Sequence, residues 1–189
     1  MATVQDMQQE LFEEINNPEN QIHLQVQKKK INREKYLNEI RNRCKEAKLT
    51  DEETEDVIYL VDKALWGFGI IDDYINDPDV SDIRLVNKDT IRIKKNGKRY
   101  PTPLHFQSED EYKRYIEFIT NRNNTNMSIM NAAQVFTDKD TCKSDILRFS
   151  LVSELVNTGD MPTLLIRKIP KEKKTFETLI SQNFCTPEQ

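Results

Sequence analysis

Met7, Leu11 and Ile15 recur at helical spacing and predict a short helix over 4–15. Asn16-Asn17-Pro18 stops it, because proline disfavours helix in the residue before it. Ile22, Leu24 and Val26 alternate with polar residues and predict a brief strand. Over 32–48 the helical period returns, with Tyr36, Leu37, Ile40, Cys44 and Ala47 on one face. Thr50-Asp51-Glu52-Glu53 has the form of a capping box, in which the Thr50 hydroxyl and the Glu53 carboxylate accept from backbone N–H groups at a helix start. The helix behind it should bury Val57, Leu60, Val61, Ala64 and Leu65, and Gly67 is placed to end it.

A turn of helix over 71–76 leads into strand-type alternation at 81–86 and 90–94. Asn96-Gly97 supplies the two positive-φ residues of a type I′ turn, so 90–94 and the residues from Lys98 onward form a hairpin. Ser108 with Glu111 reads as a second capping box, starting a helix that buries Tyr112, Tyr115, Ile116 and Ile119, and 121–126 reads as loop. Two strands, 146–155 and 162–169, flank Asn157-Thr158-Gly159. A last helix from Thr175 should bury Phe176, Leu179 and Ile180. Thr186-Pro187-Glu188 has the order of an N-cap, a first-position proline and an acid, the start of a further helix, so the sequence is read as a fragment of a longer protein.

Composition narrows the function. The chain has 189 residues, with 28 Lys plus Arg against 32 Asp plus Glu, a formal net charge of −4. That length is a prior for one domain or two small ones. Its only glycines are Gly67, Gly69, Gly97 and Gly159, so neither GxxxxGK(S/T) nor GxGxxG is present and no nucleotide-binding loop exists. The longest nearly apolar stretch, 64–71, is far shorter than the roughly 18 residues of a membrane helix. The acidic, polar N-terminus is no signal peptide. Cys44, Cys142 and Cys185 are widely spaced, which points to a reducing compartment and against a disulfide framework or a zinc site. With His23 and His105 the only histidines and no nucleophile–base constellation, neither a metal site nor self-contained catalysis is expected.

Three segments invite a functional reading. The acidic run 71–82 lacks the glycine and the glutamate that an EF-hand loop needs at its sixth and twelfth positions, where Asp82 and Lys88 stand, so its acids read as caps and turns. The basic stretch 28–48 could meet anionic lipid or nucleic acid as a stand-alone interaction module. Its cations are interleaved with Glu34, Glu39 and Glu46, however, and a solvated or intersubunit face is the plainer reading. Arg148 and Arg167 each interrupt an apolar strand-type run, either as snorkelling or salt-bridging residues or as phosphate ligands, a role that suits the planar guanidinium.

The run Gly67-Phe68-Gly69-Ile70-Ile71-Asp72-Asp73-Tyr74-Ile75-Asn76-Asp77-Pro78-Asp79-Val80-Ser81-Asp82-Ile83-Arg84-Leu85-Val86-Asn87 resembles the opening signature of the type II and type IV secretion traffic ATPases, CpaF-like members above all. That signature reads G-x-G-(P/I)-(L/I)-(D/E)-x-L-L-x-D-P-x-(V/I)-(S/T)-(D/E)-I-x-(V/I)-N. The hairpin at Asn96-Gly97 follows as in the family, Pro162 to Lys168 is similar to its G-P-x-L-x-I-R-K strand, and Thr175 to Ile180 to its T-(L/F)-x-x-L-I helix. The resemblance covers 50–189, while the segment before Arg148 keeps only the arginine and apolar strand residues of the family pattern. It implies a PAS-like α+β N-terminal domain over 50–183, an antiparallel sheet flanked by helices and preceded by a helical extension over 1–49, with 184–189 leading toward a RecA-like ATPase domain. It further implies a hexameric ring on the inner face of the cell membrane, partnered by membrane-embedded secretion or conjugation machinery. Nucleic acid is not expected to be bound directly. ATP and magnesium belong to the full-length protein and no cofactor to this chain, with Arg148 and Arg167 reaching the nucleotide's terminal phosphates.

Overall fold

Two apolar clusters organise the chain, one among helices and one beneath a sheet. The computed structural model describes residues 4–17, 19–172 and 175–181. The helical part comprises α1 (Val4–Asn16), α2 (Ile22–Gln27), α3 (Arg33–Glu46) and α4 (Asp51–Leu65). Met7, Leu11 and Ile15 of α1 meet Ile22 of α2, Ile40 and Cys44 of α3, and Val57, Ile58, Val61 and Leu65 of α4 in one cluster. Thr50 begins α4 with the full capping box: its hydroxyl accepts from Glu53 N and the Glu53 carboxylate accepts from Thr50 N. Such a cap is worth about 1 kcal/mol.

A 3-10 turn at Gly69–Ile71 and the short α5 (Asp72–Asn76) lead into β1 (Val80–Asn87), β2 (Thr90–Lys95) and β3 (Lys98–Pro101). Then come α6 (Glu109–Arg122), β4 (Ala133–Asp138), β5 (Asp145–Val152), β6 (Thr163–Pro170) and α7 (Phe176–Ser181). The six strands form one sheet in the order β3-β2-β1-β6-β5-β4, with every neighbouring pair antiparallel. The fold is α+β. On one face, Ile83, Leu85, Ile91, Leu147, Phe149, Leu151, Leu164 and Ile166 pack with Ile75 of α5 and Tyr112, Ile116 and Ile119 of α6. The opposite face is lined by the intervening residues of each strand.

The turn between α4 and α5 is tightly built. A Cβ on Gly67 would lie 2.5 Å from Asp72 Oδ1 and 2.8 Å from the Lys63 carbonyl, and Gly69 has φ +55°. Asp72 accepts from Phe68 N at 2.8 Å. Asn96 and Gly97 adopt φ of 50° and 79°, the left-handed pair of the expected hairpin turn.

Several expectations are corrected. Residues 22–26 are helical, not a strand. Ile22 and Val26 are four apart, a spacing that satisfies both periods, and the neighbouring α1 offers a helix face rather than a strand edge. Ser108 makes half of a capping box: its hydroxyl accepts from Glu111 N, but the Glu111 carboxylate reaches back to Gln107 N instead. The helix it starts runs through Arg122, into the stretch read as loop. Phe176 is 74% exposed, because α7 is six residues long and no described element covers its first turn. The pattern did not mark β4, where polarity is inverted: Val135 points outward and Asp138 inward. The Asp138 carboxylate is satisfied there by Thr141 N, Thr141 Oγ1 and Asp140 N. Cys185, residues 186–188 and the side chains of Leu24 and Leu179 lie outside the described residues.

Candidate functional site

Period two in the strands places Arg148 and Arg167 on the sheet face away from α6, and the β5–β6 register sets them directly opposite each other. Both are exposed. The pleat divides the Arg167-Lys168 pair of the matched motif. Arg167 points outward, whereas Lys168 is buried, donating to the Asp77 carbonyl at 2.6 Å with Asp145 Oδ2 at 3.8 Å.

Asp82 reaches the same outward face by alternation with the buried Ile83 and Leu85, and an irregularity just before it turns Val80 into the core. Val80 pairs with Lys95 and Asp82 with Lys94, leaving Ser81 as an extra residue. Without it, Val80 and Asp82 would share a face; with it, Val80 is buried in the core and Asp82 stands beside Arg167. Arg167 Nε donates to Asp82 Oδ1 at 2.8 Å, and Ser81 Oγ donates to Asp82 Oδ2 at 2.8 Å. Burial opposes ionisation of Asp82, but the Arg167 and Ser81 hydrogen bonds and the charges of Arg167 and Lys94 hold its pKa below the usual carboxylate value.

Arg84 and Arg92 are a second like-charged pair at directly opposed positions, and Arg99 follows beyond Lys94. A concavity of about 430 Å³ runs across this end of the face, lined by these side chains, Asp82, Arg167 and Leu165. Like charges set directly across a ladder destabilise a sheet. Among the described residues, Arg148, Arg84, Arg92 and Arg99 have no ion-pair partner, and Asp82 is the acid within the concavity. Such a face favours an anion with several oxygens, which guanidinium groups bind through paired, charge-assisted hydrogen bonds. Arg167 gives only Nε to Asp82, so its terminal amino groups still face outward.

Arg84, Arg92, Lys94 and Arg99 were not singled out from the sequence. Their signal was present in alternation against Ile83, Leu85, Ile91 and Ile93, but the β1–β6 pairing that brings them to Arg167 spans 85 residues.

The other segments resolve differently. In α3 and its approach, Arg33 makes two bonds to Asp62, at 2.6 and 2.7 Å, Arg41 meets Glu55, and Arg43 meets Glu10 and Glu14. The arginines of the basic stretch therefore bind α3 to α1 and α4. The acids of 71–82 serve as caps, turns and pairs: Asp73 with Lys63 and Tyr59, Asp77 with Lys95 and Asp79 N. Among the described residues no cluster of three or more His, Cys, Asp or Glu side chains could hold a metal ion, and no helix is long and apolar enough to cross a membrane.

The sequence matches no protein-family model and no curated protein. Among solved structures it is similar to the VirB11 ATPase from the Brucella suis type IV secretion system, solved in complex with sulphate. The identity is 11% and the TM-score 0.49, and the match covers 59% of this chain. The chain spans about a third of that ATPase, 33% of its length being covered.

Proposed function

We propose that this chain is the N-terminal, ring-forming domain of a hexameric secretion or conjugation ATPase. ATP and magnesium would be held by a RecA-like domain elsewhere in the protein, and the basic sheet face would close over the nucleotide's terminal phosphates. In this reading the ring lies in the cytoplasm against the membrane and couples hydrolysis to transport by membrane-embedded secretion machinery. The observation that carries it is the in-register placement of Arg148 and Arg167 on an open sheet face, since these are the two positions to which the sequence resemblance points. Phosphoryl transfer is accelerated mainly by positioning and charge stabilisation. Arginines on a separate, moving domain supply that charge only on closure, which ties the motion to hydrolysis. Arg148 would contact phosphate directly, and Asp82 would steer Arg167 by holding its Nε edge.

The test is made in the protein carrying both domains. Arg167→Ala and Arg148→Ala should each lower ATP turnover by about tenfold or more, with the melting temperature unchanged for Arg148→Ala and lowered only slightly for Arg167→Ala, which gives up its pair with Asp82. Normal turnover with a lowered melting temperature would assign both arginines to strand packing and overturn the reading.

A further inference from the structure

A second cavity, of about 810 Å³, opens between α2 and the α2–α3 connection on one side and α6 on the other. Its walls are aliphatic side chains and ring faces, Val26, Ile31, Leu65, Trp66, Phe106 and Phe118. Its rim is cationic. Lys29, Lys30 and Arg114 face it without an ion-pair partner among the described residues, against the acids Glu111 and Glu117.

The polar groups within the walls are mostly engaged. Arg122 donates to the Gly67 and Trp66 carbonyls and to Thr141 Oγ1, and Arg33 is held by Asp62. The Tyr115 hydroxyl donates to the Phe68 carbonyl, and the Asn32 side-chain oxygen caps α3. His23 Nδ1 is buried without a hydrogen-bond partner, its ring 4.9 Å from that of Phe118. A ligand rich in polar edges, such as a nucleobase, would lose its hydrogen bonds to water against these walls without replacing them. An apolar body with one charged end gains from both wall and rim.

We propose that this cavity binds a single-chain anionic amphiphile, a fatty carboxylate or an alkyl phosphate. Its chain lies against Trp66 and Phe118, and its head lies at Lys29, Lys30 and Arg114. Such a molecule reaches the cavity either free in solution or drawn from a bilayer.

Trp66 is the chain's single tryptophan and lines the cavity, so its fluorescence reports occupancy directly. Dodecanoate and dodecyl phosphate, both below their micelle concentrations, should shift Trp66 emission saturably at one equivalent of the full 189-residue chain. The double change Lys29→Glu, Lys30→Glu should weaken both by about tenfold and leave dodecanol binding unchanged. Lys29→Gln, Lys30→Gln is the second variant, expected to weaken dodecanoate less, with thermal melts checking that both variants fold. A shift on dodecanoate as well as on phosphatidylglycerol vesicles supports capture from either source, and a shift on dodecanoate alone supports the free one. A response to vesicles alone, no saturable shift, equal weakening of dodecanol, or displacement of dodecanoate by AMP would each overturn the proposal.

Discussion

Asp82 and Arg167 stand 85 residues apart in the chain, yet Oδ1 of one lies 2.8 Å from Nε of the other. The contact depends on the antiparallel pairing of β1 with β6, which sets Asp82 directly opposite Arg167. Arg167 is 59% exposed and Asp82 12%, so the carboxylate is the fixed partner and the guanidinium the adjustable one.

That asymmetry gives a pH dependence. Arg167, Ser81 and Lys94 outweigh burial and hold the Asp82 pKa below its ordinary value of 3.8. A carboxyl with a depressed folded-state pKa contributes stability above its unfolded pKa, and that contribution is lost as the pH falls through the folded value. With an exposed partner the contribution is at most about 1 kcal/mol. Urea denaturation should therefore find Asp82→Asn less stable than the parent at neutral pH by up to that amount, with the gap closing as the pH falls below 3.8. A gap of constant size across the acid range would show that the carboxylate's charge is not what matters.

Arg148 should behave in the opposite sense from a packing residue. It faces Arg167 across the ladder without a counter-charge among the described residues. Arg148→Ala removes a repulsion of about 0.2–1 kcal/mol and should leave the fold as stable or slightly more so. Pyrophosphate affinity, measured by calorimetry at low salt, should fall several-fold, and added salt should weaken parent and variant alike. Equal affinities would exclude Arg148 from the anion site.

Arg122 is a structural arginine of the sheet part. Its guanidinium joins the end of α4, through the Gly67 and Trp66 carbonyls, to Thr141 in the β4–β5 loop, and lies over the Phe68 ring at 4.8 Å. Arg122→Ala leaves those carbonyls without their donor and should cost about 2–4 kcal/mol in urea denaturation. Arg122→Lys should recover only part, since an ammonium lacks the planar fork that spans three acceptors. A loss below about 0.5 kcal/mol would mean that water replaces the clip.

Most helices were legible before the fold, because their signals are local. Thr50 and Glu53 announce α4, the apolar spacing of Met7, Leu11 and Ile15 announces α1, and Asn96-Gly97 announces the hairpin. The misread segments are those where two local patterns coincide. Ile22 and Val26 fit strand and helix equally, and the face presented by α1 decided between them. β4 was illegible for a different reason: its inward Asp138 reads as surface until Thr141 and Asp140 are seen to satisfy it.

The site divides along the same line. The sequence alone determined that Arg148 and Arg167 lie in strands, that they interrupt apolar runs, and that no phosphate loop accompanies them. Alternation even determined that each points away from its apolar neighbours, since side chains on a strand take opposite faces by geometry. Only the tertiary structure decided that the two face each other, that Asp82 holds one of them, and that Arg84, Arg92, Lys94 and Arg99 extend the same basic surface. Strand order and register arise from pairings between segments far apart in the chain. No local period records which strand will lie beside which.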